Sequence, residues 1–472
     1  MIRKFASIFI LLSVFGGLSF AKKTYYHEML KPRLVVMTDI APQNVEPDDM
    51  ESAIRLLTYA DCFEIEAIFA TVGWNTDPYP VEWKKYLDEV IDAYAVDVNN
   101  LMKRSNQGAF KSIDEENKEQ HIGYWPSAEY IRSRSMFGSL RAGIGVIGEG
   151  NDSPGSDLLI KLAAEDDPRP IWIAAWGGAN TLAQAIWRVQ QTASKDELKR
   201  FLSKFRVFTI TDQDMKGSMR RDLAYSSHQW LRSDFADCLK FVWDESTWRT
   251  HNRIGGEIWS QYAEKIQGHG KMGSIYPTFL PRHGVEGDTP SMMHVMPNGL
   301  NDPEDYTQVG WGGYHVWGVT SDKETYAWTN WNGQEKKIAE DYATRFYNDT
   351  FNDFASRIEW AEKGTGNHNP VVVVNGHNGL NPIRISAKPG KKIKLNAKKT
   401  FDPDGDKMTF KWWQQIEAGT YNKPVAVASN MPQTTLIVPT DASGKTIHIV
   451  CEVHDDGPFN LVAYRRIIVT VK

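Results

Sequence analysis

Three cysteines in 472 residues are too few, and at Cys62, Cys238 and Cys451 too far apart, to hold an exported chain together by a disulfide framework. Each lies in an apolar run, which reads as a buried hydrophobe. Past the first residues no hydrophobic run reaches the length of a membrane-spanning helix, so the mature chain is not expected to cross a bilayer. An excess of one charge is also missing. A net charge of −5 from 54 basic and 59 acidic residues gives no electrostatic grip on nucleic acid or anionic lipid.

What the chain does have begins with its N-terminus. "MIRKF" is basic, "ASIFILLSVFGGLSF" is apolar, and Ser19-Phe20-Ala21 places small residues where a signal peptidase cuts. Residues 1–21 are therefore expected to be a signal peptide cleaved near Ala21, leaving a secreted or periplasmic protein. No cysteine follows the apolar stretch, so a lipid anchor of the bacterial type is not expected. Aromatics are plentiful, with 17 Trp and 18 Tyr. Large cores would use them, and so would a surface that stacks on sugar rings.

Two patterns divide the rest. From Arg33 to about Trp243, the apolar runs "RLVVMTD", "FEIEAIFATVG", "PIWIAAWGG", "RVFTITD" and "DCLKFVWD" read as strands, alternating with segments of helical periodicity such as "DDMESAIRLLTYA" and "ANTLAQAIWRVQQT". That alternation predicts an α/β fold, an open and mainly parallel sheet covered by helices. Residues 244–345, rich in Gly, Pro, Trp and His, read as irregular loops over a site. After the linker "GTGNHNP", the runs "VVVVNG", "IRISAKPGKKIKLNA", "MTFKWWQQ", "TTLIVPT", "TIHIVCEVHD" and "YRRIIVTVK" alternate with period two. They predict an immunoglobulin-like β-sandwich over 367–472, after a first domain over 22–366.

Chemistry concentrates in "VVMTDIAPQNVEPDDMESAIRLL", residues 35–57. Asp39 ends a strand, and Asp48 and Asp49 open a helix. In open parallel sheets, ligands gather beyond the carboxyl ends of the strands, so these acids are expected at one mouth. A helix start tolerates one or two carboxylates as caps by itself. Two more features argue for an ion. The strand ending at Trp176-Gly177-Gly178 leaves a backbone carbonyl there, and "EGDTPSMM" adds Asp288. Carboxylates with a carbonyl, and without a His or Cys cluster, suit calcium better than zinc.

The ordered set resembles the nucleoside hydrolase superfamily: a strand ending in Asp39, then Asp48-Asp49, "EIEAIFATVGWN", "WGGANTLAQA" and "GDTPS". It looks most like the secreted bacterial branch that joins a nucleoside-hydrolase-like domain to a β-sandwich, often called cellulose-binding protein. The resemblance implies that Asp39 binds calcium and orients or deprotonates the attacking water. It implies that Asp49, Asp288 and the Trp176 carbonyl complete the ion's ligands, and that Asp48 and Asn75 hold sugar hydroxyls. The reaction implied is glycosidic cleavage through an oxocarbenium-like state with a metal-bound water.

This sequence departs from the family in three places. Met37 stands where the family carries another Asp. The loop "IAPQNVEP" is longer than the usual glycine turn. Gly287 precedes Asp288 where nucleoside cleavers carry a His. The metal half of the site thus reads as retained and the leaving-group half as rebuilt, which favours a carbohydrate substrate over a nucleoside. Glu149 and Asn151 in "EGNDSPGSD", Asp214 in "TITDQDMKG", and His283 and His294 flanking Asp288 are further candidates for substrate contact or proton donation. Ordinary caps, turns and loop hydrogen bonds would also explain them. "GIGVIG" at 143–148 matches the dinucleotide fingerprint by letter, but neither a buried strand nor a prompt helix flanks it. "DPDGD" at 402–406 reads as an acidic turn or a second calcium loop. The functional readings are a calcium-dependent carbohydrate hydrolase, then a non-catalytic carbohydrate binder on the same fold, then a nucleoside N-glycosidase. Oligo- or polysaccharide is the expected partner, and a homodimer stays open.

Overall fold

The structure is a computed structural model that describes residues 25–74, 76–214, 225–279 and 284–472. The expected signal peptide lies outside these residues. Eight strands form the large sheet: β1 Arg33–Thr38, β2 Glu64–Ala70, β3 Ser135–Phe137, β4 Ile171–Ala175, β5 Phe205–Ile210, β6 Lys240–Asp244, β7 Val316–Val319 and β8 Tyr326–Thr329. Their order is β3-β2-β1-β4-β5-β6-β8-β7. Every pairing is parallel except the hairpin β7–β8.

Burial explains why these strands read as unbroken apolar runs. All residues of β1, β2 and β4 are buried, since helices cover both faces. Within β1 the side chains alternate between two cores. Leu34 and Val36 join the cluster that includes the helices Asp48–Thr58, Lys84–Arg104 and Gly333–Lys363. Val35 and Met37 join the cluster with the helices Pro154–Ala163, Asn180–Thr192 and Ser227–Phe235. Met37, two residues before Asp39, is therefore simply packed between layers.

Residues 244–345 are not the loop segment that composition suggests. They contain the helices Thr247–Glu257, Trp259–Lys265, Gly270–Ser274 and Thr289–Val295, then the β7–β8 hairpin. The segment also starts a 31-residue helix, Gly333–Lys363, that ends on Gly364 in the left-handed conformation at φ 66°. Cys62 and Cys451 are buried as expected, whereas Cys238 is only partly so, and all three are free thiols.

The C-terminal strands are β9 Ile383–Ala387, β10 Lys392–Asn396, β11 Met408–Gln414, β12 Gln433–Ile437, β13 Thr446–Asp455 and β14 Val462–Val471. They form a sheet β11-β13-β14-β9 and a pair β10-β12, antiparallel throughout except for β14–β9. "VVVVNG" makes isolated bridges, not a strand. Trp412, Leu436, Ile449 and Ile467 fill a core of their own. On the other face Trp413, Val450 and Tyr464 belong to the first cluster. There the ring of Phe346, from the long helix, lies 6.4 Å from Trp413 and 6.1 Å from Tyr464. The long helix thus holds the two sheets together. Among the described residues no helix is long and apolar enough to cross a membrane.

Candidate functional site

The chain leaves the C-terminal end of β1 at Asp39, and two neighbouring strand ends fold over it. The amides of Trp176 and Gly177 donate to the Met37 carbonyl at 2.9 and 2.8 Å, and that of Gly178 to Val72 at 2.8 Å. Two glycines make room for the Asp39 carboxylate. A Cβ on Gly73 would fall 2.1 Å from its Cγ and Oδ2, and one on Gly177 would fall 3.1 Å from its Oδ1. The helix Asp48–Thr58 starts beside it, with Asp48, Asp49 and Glu51 in its first turn. The hydroxyl of Thr38 donates to Asp49. Asp288 arrives at the start of the helix Thr289–Val295. The Ser291 hydroxyl links it to the strand end, accepting from the Trp176 indole at 2.8 Å and donating to the Asp288 carbonyl at 2.6 Å.

These elements crowd carboxylates together. Oxygens of Asp48, Asp49 and Asp288 can lie within 4.8 Å of one another, and so can those of Asp39, Glu46 and Asp49. Asp39, Asp49 and Asp288 are each 2% exposed. Burial first, and the neighbouring negative charges second, push Asp49, Asp288 and Glu46 well above the usual carboxylate range. Oδ2 of Asp288 and Oε2 of Glu46 are buried with no hydrogen-bond partner among the described residues. Oxygen-only donors, unpartnered lone pairs and mutual repulsion are what a hard divalent cation would resolve. The residues fit such an ion.

The structure therefore brings Asp39, Asp48, Asp49, Asp288 and the Trp176 turn to one mouth. Asn75 and His283 lie outside the described residues. Glu149 and Asn151 are exposed, and Glu149 pairs at 3.0 Å with Arg188, eight residues and about 12 Å along its helix from Asn180. Glu149 is thus engaged by Arg188 rather than by the acidic cluster. "EGNDSPGSD" serves as a cap, though Ser153 is the capping residue and Ser156 reciprocates. His294 is not a proton donor at the mouth either. Its ring is 1% exposed, sits 5.1 Å from Trp172 and 5.3 Å from Phe208, and burial lowers its pKa to about 3. The helix that starts at Asp288 carries it about 9 Å into the core.

Asp214 does border the mouth, since a Cβ on Gly178 would fall 3.0 Å from its Cβ. It belongs to a buried group with Asp212, Ser226 and His228 that sequence reading left incomplete. The Ser226 hydroxyl contacts both carboxylates, and the Ser227 amide donates to Asp214 at 2.9 Å. Burial raises Asp212 and Asp214 adds to it, while His228 and hydrogen bonds hold Asp214 below the usual range despite burial.

Two contributors escaped the sequence. Glu46 lay in the opening stretch among the acids, and its unpartnered oxygen marks it. Asn252, inside the helix Thr247–Glu257, gave no local signal. It explains the departure at Gly287, where a Cβ would fall 2.7 Å from Asp48 Oδ2 and 3.1–3.2 Å from the Asn252 amide. The space beside Gly287 is filled by a carboxylate and a carboxamide.

Comparison with known proteins agrees with the fold. Residues 33–315 match the family described as "Cellulose-binding Sde182, nucleoside hydrolase-like domain". Residues 392–471 match "Cellulose-binding protein Sde0182, C-terminal domain". A solved structure of a nucleoside hydrolase-related hypothetical protein from Saccharophagus degradans, described as associated with carbohydrate metabolism, is 31% identical. It covers 94% of this chain and 100% of its own, with a TM-score of 0.79. A match to a chain in a structure described as the basis of T cell specificity and activation by toxic shock syndrome toxin-1 covers 22% of this chain at a TM-score of 0.16 and carries no argument. The search of curated proteins found no match.

Proposed function

The chain belongs to the family of cellulose-binding proteins with a nucleoside-hydrolase-like domain, and from that premise we propose that it is an exported, calcium-dependent hydrolase of a glycosidic bond in a carbohydrate. The observation that carries the reading is the buried carboxylate cluster at the end of β1, with the lone pairs of Asp288 and Glu46 left unpartnered. Asp49, Asp288 and the Trp176 carbonyl would hold the ion together with Asp39. When bound, calcium supplies a docking point for sugar hydroxyls and acidifies water.

The chain's own residues do the rest. Asp39, fixed between Gly73 and Gly177, takes the proton of the attacking water. Asp48 and Asn252, side by side at Gly287, offer an acceptor and an amide to sugar hydroxyls. An alkoxide leaving group needs a proton, and the buried Asp212–Asp214 pair, bordering Gly178, is a titratable candidate to supply it. A purine leaving group would need the His that Gly287 replaces.

Non-catalytic carbohydrate binding is the second reading. The pairing of Glu149 with Arg188 and the burial of His294 favour it, because they remove two of the proton donors that turnover would use. One assay separates the readings. Purified protein is incubated with calcium and, separately, with EDTA, against a panel of plant and algal oligosaccharides, with inosine and uridine as controls. Calcium-dependent appearance of shorter sugars is expected. Release of free base with no oligosaccharide cleaved would sink the proposal, and retention of oligosaccharide without products would install the second reading.

A further inference from the structure

The outer edge of the large sheet carries an arrangement that the acidic mouth does not use. In the β7–β8 hairpin, Trp317 faces Trp328 and Val319 faces Tyr326, so all four project on one side. Their rings continue a row that begins in the interior. Tyr306 stacks on Trp328 at 5.1 Å and 23°, Trp328 meets Trp317 at 5.8 Å and 64°, and Trp317 stacks beside Tyr326 at 6.3 Å and 27°. Exposure rises along the row from 8% at Tyr306 to 49% at Trp317 and 53% at Tyr326.

We propose that Trp317 and Tyr326 form a stacking platform for one neutral glycan chain, separate from the acidic mouth. This rests on the carbohydrate reading above and adds to it a second, anchoring site. Two near-parallel, half-exposed rings suit the apolar C–H face of a pyranose, whose hydrogens the negative ring face attracts. The rings are held in place before any ligand arrives. Buried Tyr306 backs Trp328, the Trp331 indole donates to the Val319 carbonyl at 2.6 Å, and Asp322 ties the hairpin loop to Arg232 at 2.9 Å. Little side-chain entropy remains to be lost on binding.

Size excludes a protein partner. Two half-exposed rings present about 200 Å² at 150–250 Å² per ring, whereas a stable protein interface takes about 800 Å² from each side. The remaining exposed large hydrophobics, such as Val81, Phe110, Phe279 and Met431, lie on other elements. Single-stranded nucleic acid needs a cationic track beside its stacking rings. The adjoining loop instead mixes Asp322, Lys323 and Glu324, and Asp322 is already paired.

Location then says what kind of glycan. In the strand order β7 is five spacings from β1, roughly 24 Å at the usual separation of strands. One short oligosaccharide cannot fill both sites. A polymer can, so the platform should hold long chains while leaving cleavage of short ones untouched.

The test compares the wild type with the double variant Trp317→Ala/Tyr326→Ala and with Trp317→Phe/Tyr326→Phe, which keeps flat rings. Retention on microcrystalline cellulose, and retardation in gels cast with soluble β-glucan, are read beside hydrolysis of a short oligosaccharide with calcium. The alanine pair should lose about tenfold or more in glucan affinity, with unchanged melting temperature and unchanged short-substrate rate, and the phenylalanine pair should keep binding. Equal glucan binding by wild type and alanine pair would overturn the proposal. So would a wild type that binds no glucan, or one that prefers single-stranded nucleic acid. Conversion of a dimer to a monomer in the alanine pair with glucan binding intact would assign the rings to a second copy of the chain. Loss of glucan retention in a protein that hydrolyses nothing would uphold the platform and remove the catalytic reading alone.

Discussion

Glu286 and Asp288 are two residues apart, are 0% and 2% exposed, and live under opposite electrostatics. Around Glu286 the fold supplies positive charge and donors. Arg55 pairs with it at full burial, and the hydroxyls of Tyr276 and Tyr262 reach it at 3.0 and 3.3 Å. His251 adds a contact at 3.4 Å. Burial alone would raise Glu286, yet Arg55 and His251 outweigh it and hold it below the usual range. Around Asp288 the fold supplies Asp49, Asp48, Asp39 and Glu46, all of one sign, and burial joins them in raising it. A buried carboxylate that only supports structure is compensated by the chain itself. One left with like charges at a strand-end mouth marks a place where compensation comes from outside.

The sharpest way to break that contrast is at Asp39. With Asn in its place the proton acceptor is gone, and the calcium-dependent rate should fall by about 10²–10⁴. Folding in EDTA should be no worse than wild type, because one member of a repelling set has been neutralised. A variant that keeps its rate, or that loses stability without calcium, would place Asp39 in the scaffold with Glu286.

Next in size is the other half of the comparison. Arg55→Met leaves Glu286 buried without its cation, and such a break costs about 3–5 kcal/mol. Urea unfolding in EDTA should show it, and Arg55→Met/Glu286→Gln should recover much of the loss. If Arg55→Met unfolds like wild type, the pair is not what compensates Glu286.

Calcium itself should separate the two sites by a smaller amount. Free ion at 100 times its dissociation constant stabilises a native-only site by about 2.7 kcal/mol, visible as a rise in melting temperature. Asp49→Asn should abolish the rise. Replacement of Glu149 should not, since its carboxylate is engaged by Arg188. A rise that survives Asp49→Asn would move the ion elsewhere, with Asp402, Asp404 and Asp406, or Asp212, Asp214 and His228, the groups to examine.

Legibility in the sequence followed the same division. Strands buried on both faces announced themselves as apolar runs, and the run ending at Asp39 with the helix opening at Asp48 placed most of the acidic mouth. What stayed hidden depends on contacts between distant segments. Arg55 reads as one polar residue on a helix face until Glu286 arrives 231 positions later. Asn252 has meaning only because Gly284 and Gly287 let it approach. The helix Gly333–Lys363 was missed because it buries residues against two partners. Phe351 and Phe354 face the helical layer while Phe346 meets Trp413 and Tyr464, so no single apolar stripe stands out. Proximity in sequence also misled. His294 is near Asp288 along the chain, but a helix carries it away from the mouth.

The smallest expected effect tests the sign of the contrast. In EDTA, the raised carboxyl of Asp288 binds its proton more tightly folded than unfolded. Its contribution to stability is therefore full below the unfolded value near 4 and is lost as pH rises through the folded value. Glu286, held low, behaves in the opposite sense, contributing above its unfolded value and failing as pH drops toward the folded one. Asp288→Asn removes the first dependence and leaves the second, and Oδ2 of Asp288 has no hydrogen bond for the amide to break. The stability of Asp288→Asn relative to wild type should therefore climb with pH from about 4 upward, by at most about 1.4 kcal/mol per pH unit. Glu286→Gln relative to wild type should instead stay level over that range and gain only as pH drops below the unfolded value of about 4.3. Saturating calcium should flatten or reverse the wild-type slope, because the ion then supplies the charge that Arg55 supplies to Glu286. Parallel pH profiles for the two variants in EDTA would show that the two carboxylates share one environment, and the distinction between scaffold and mouth would fail.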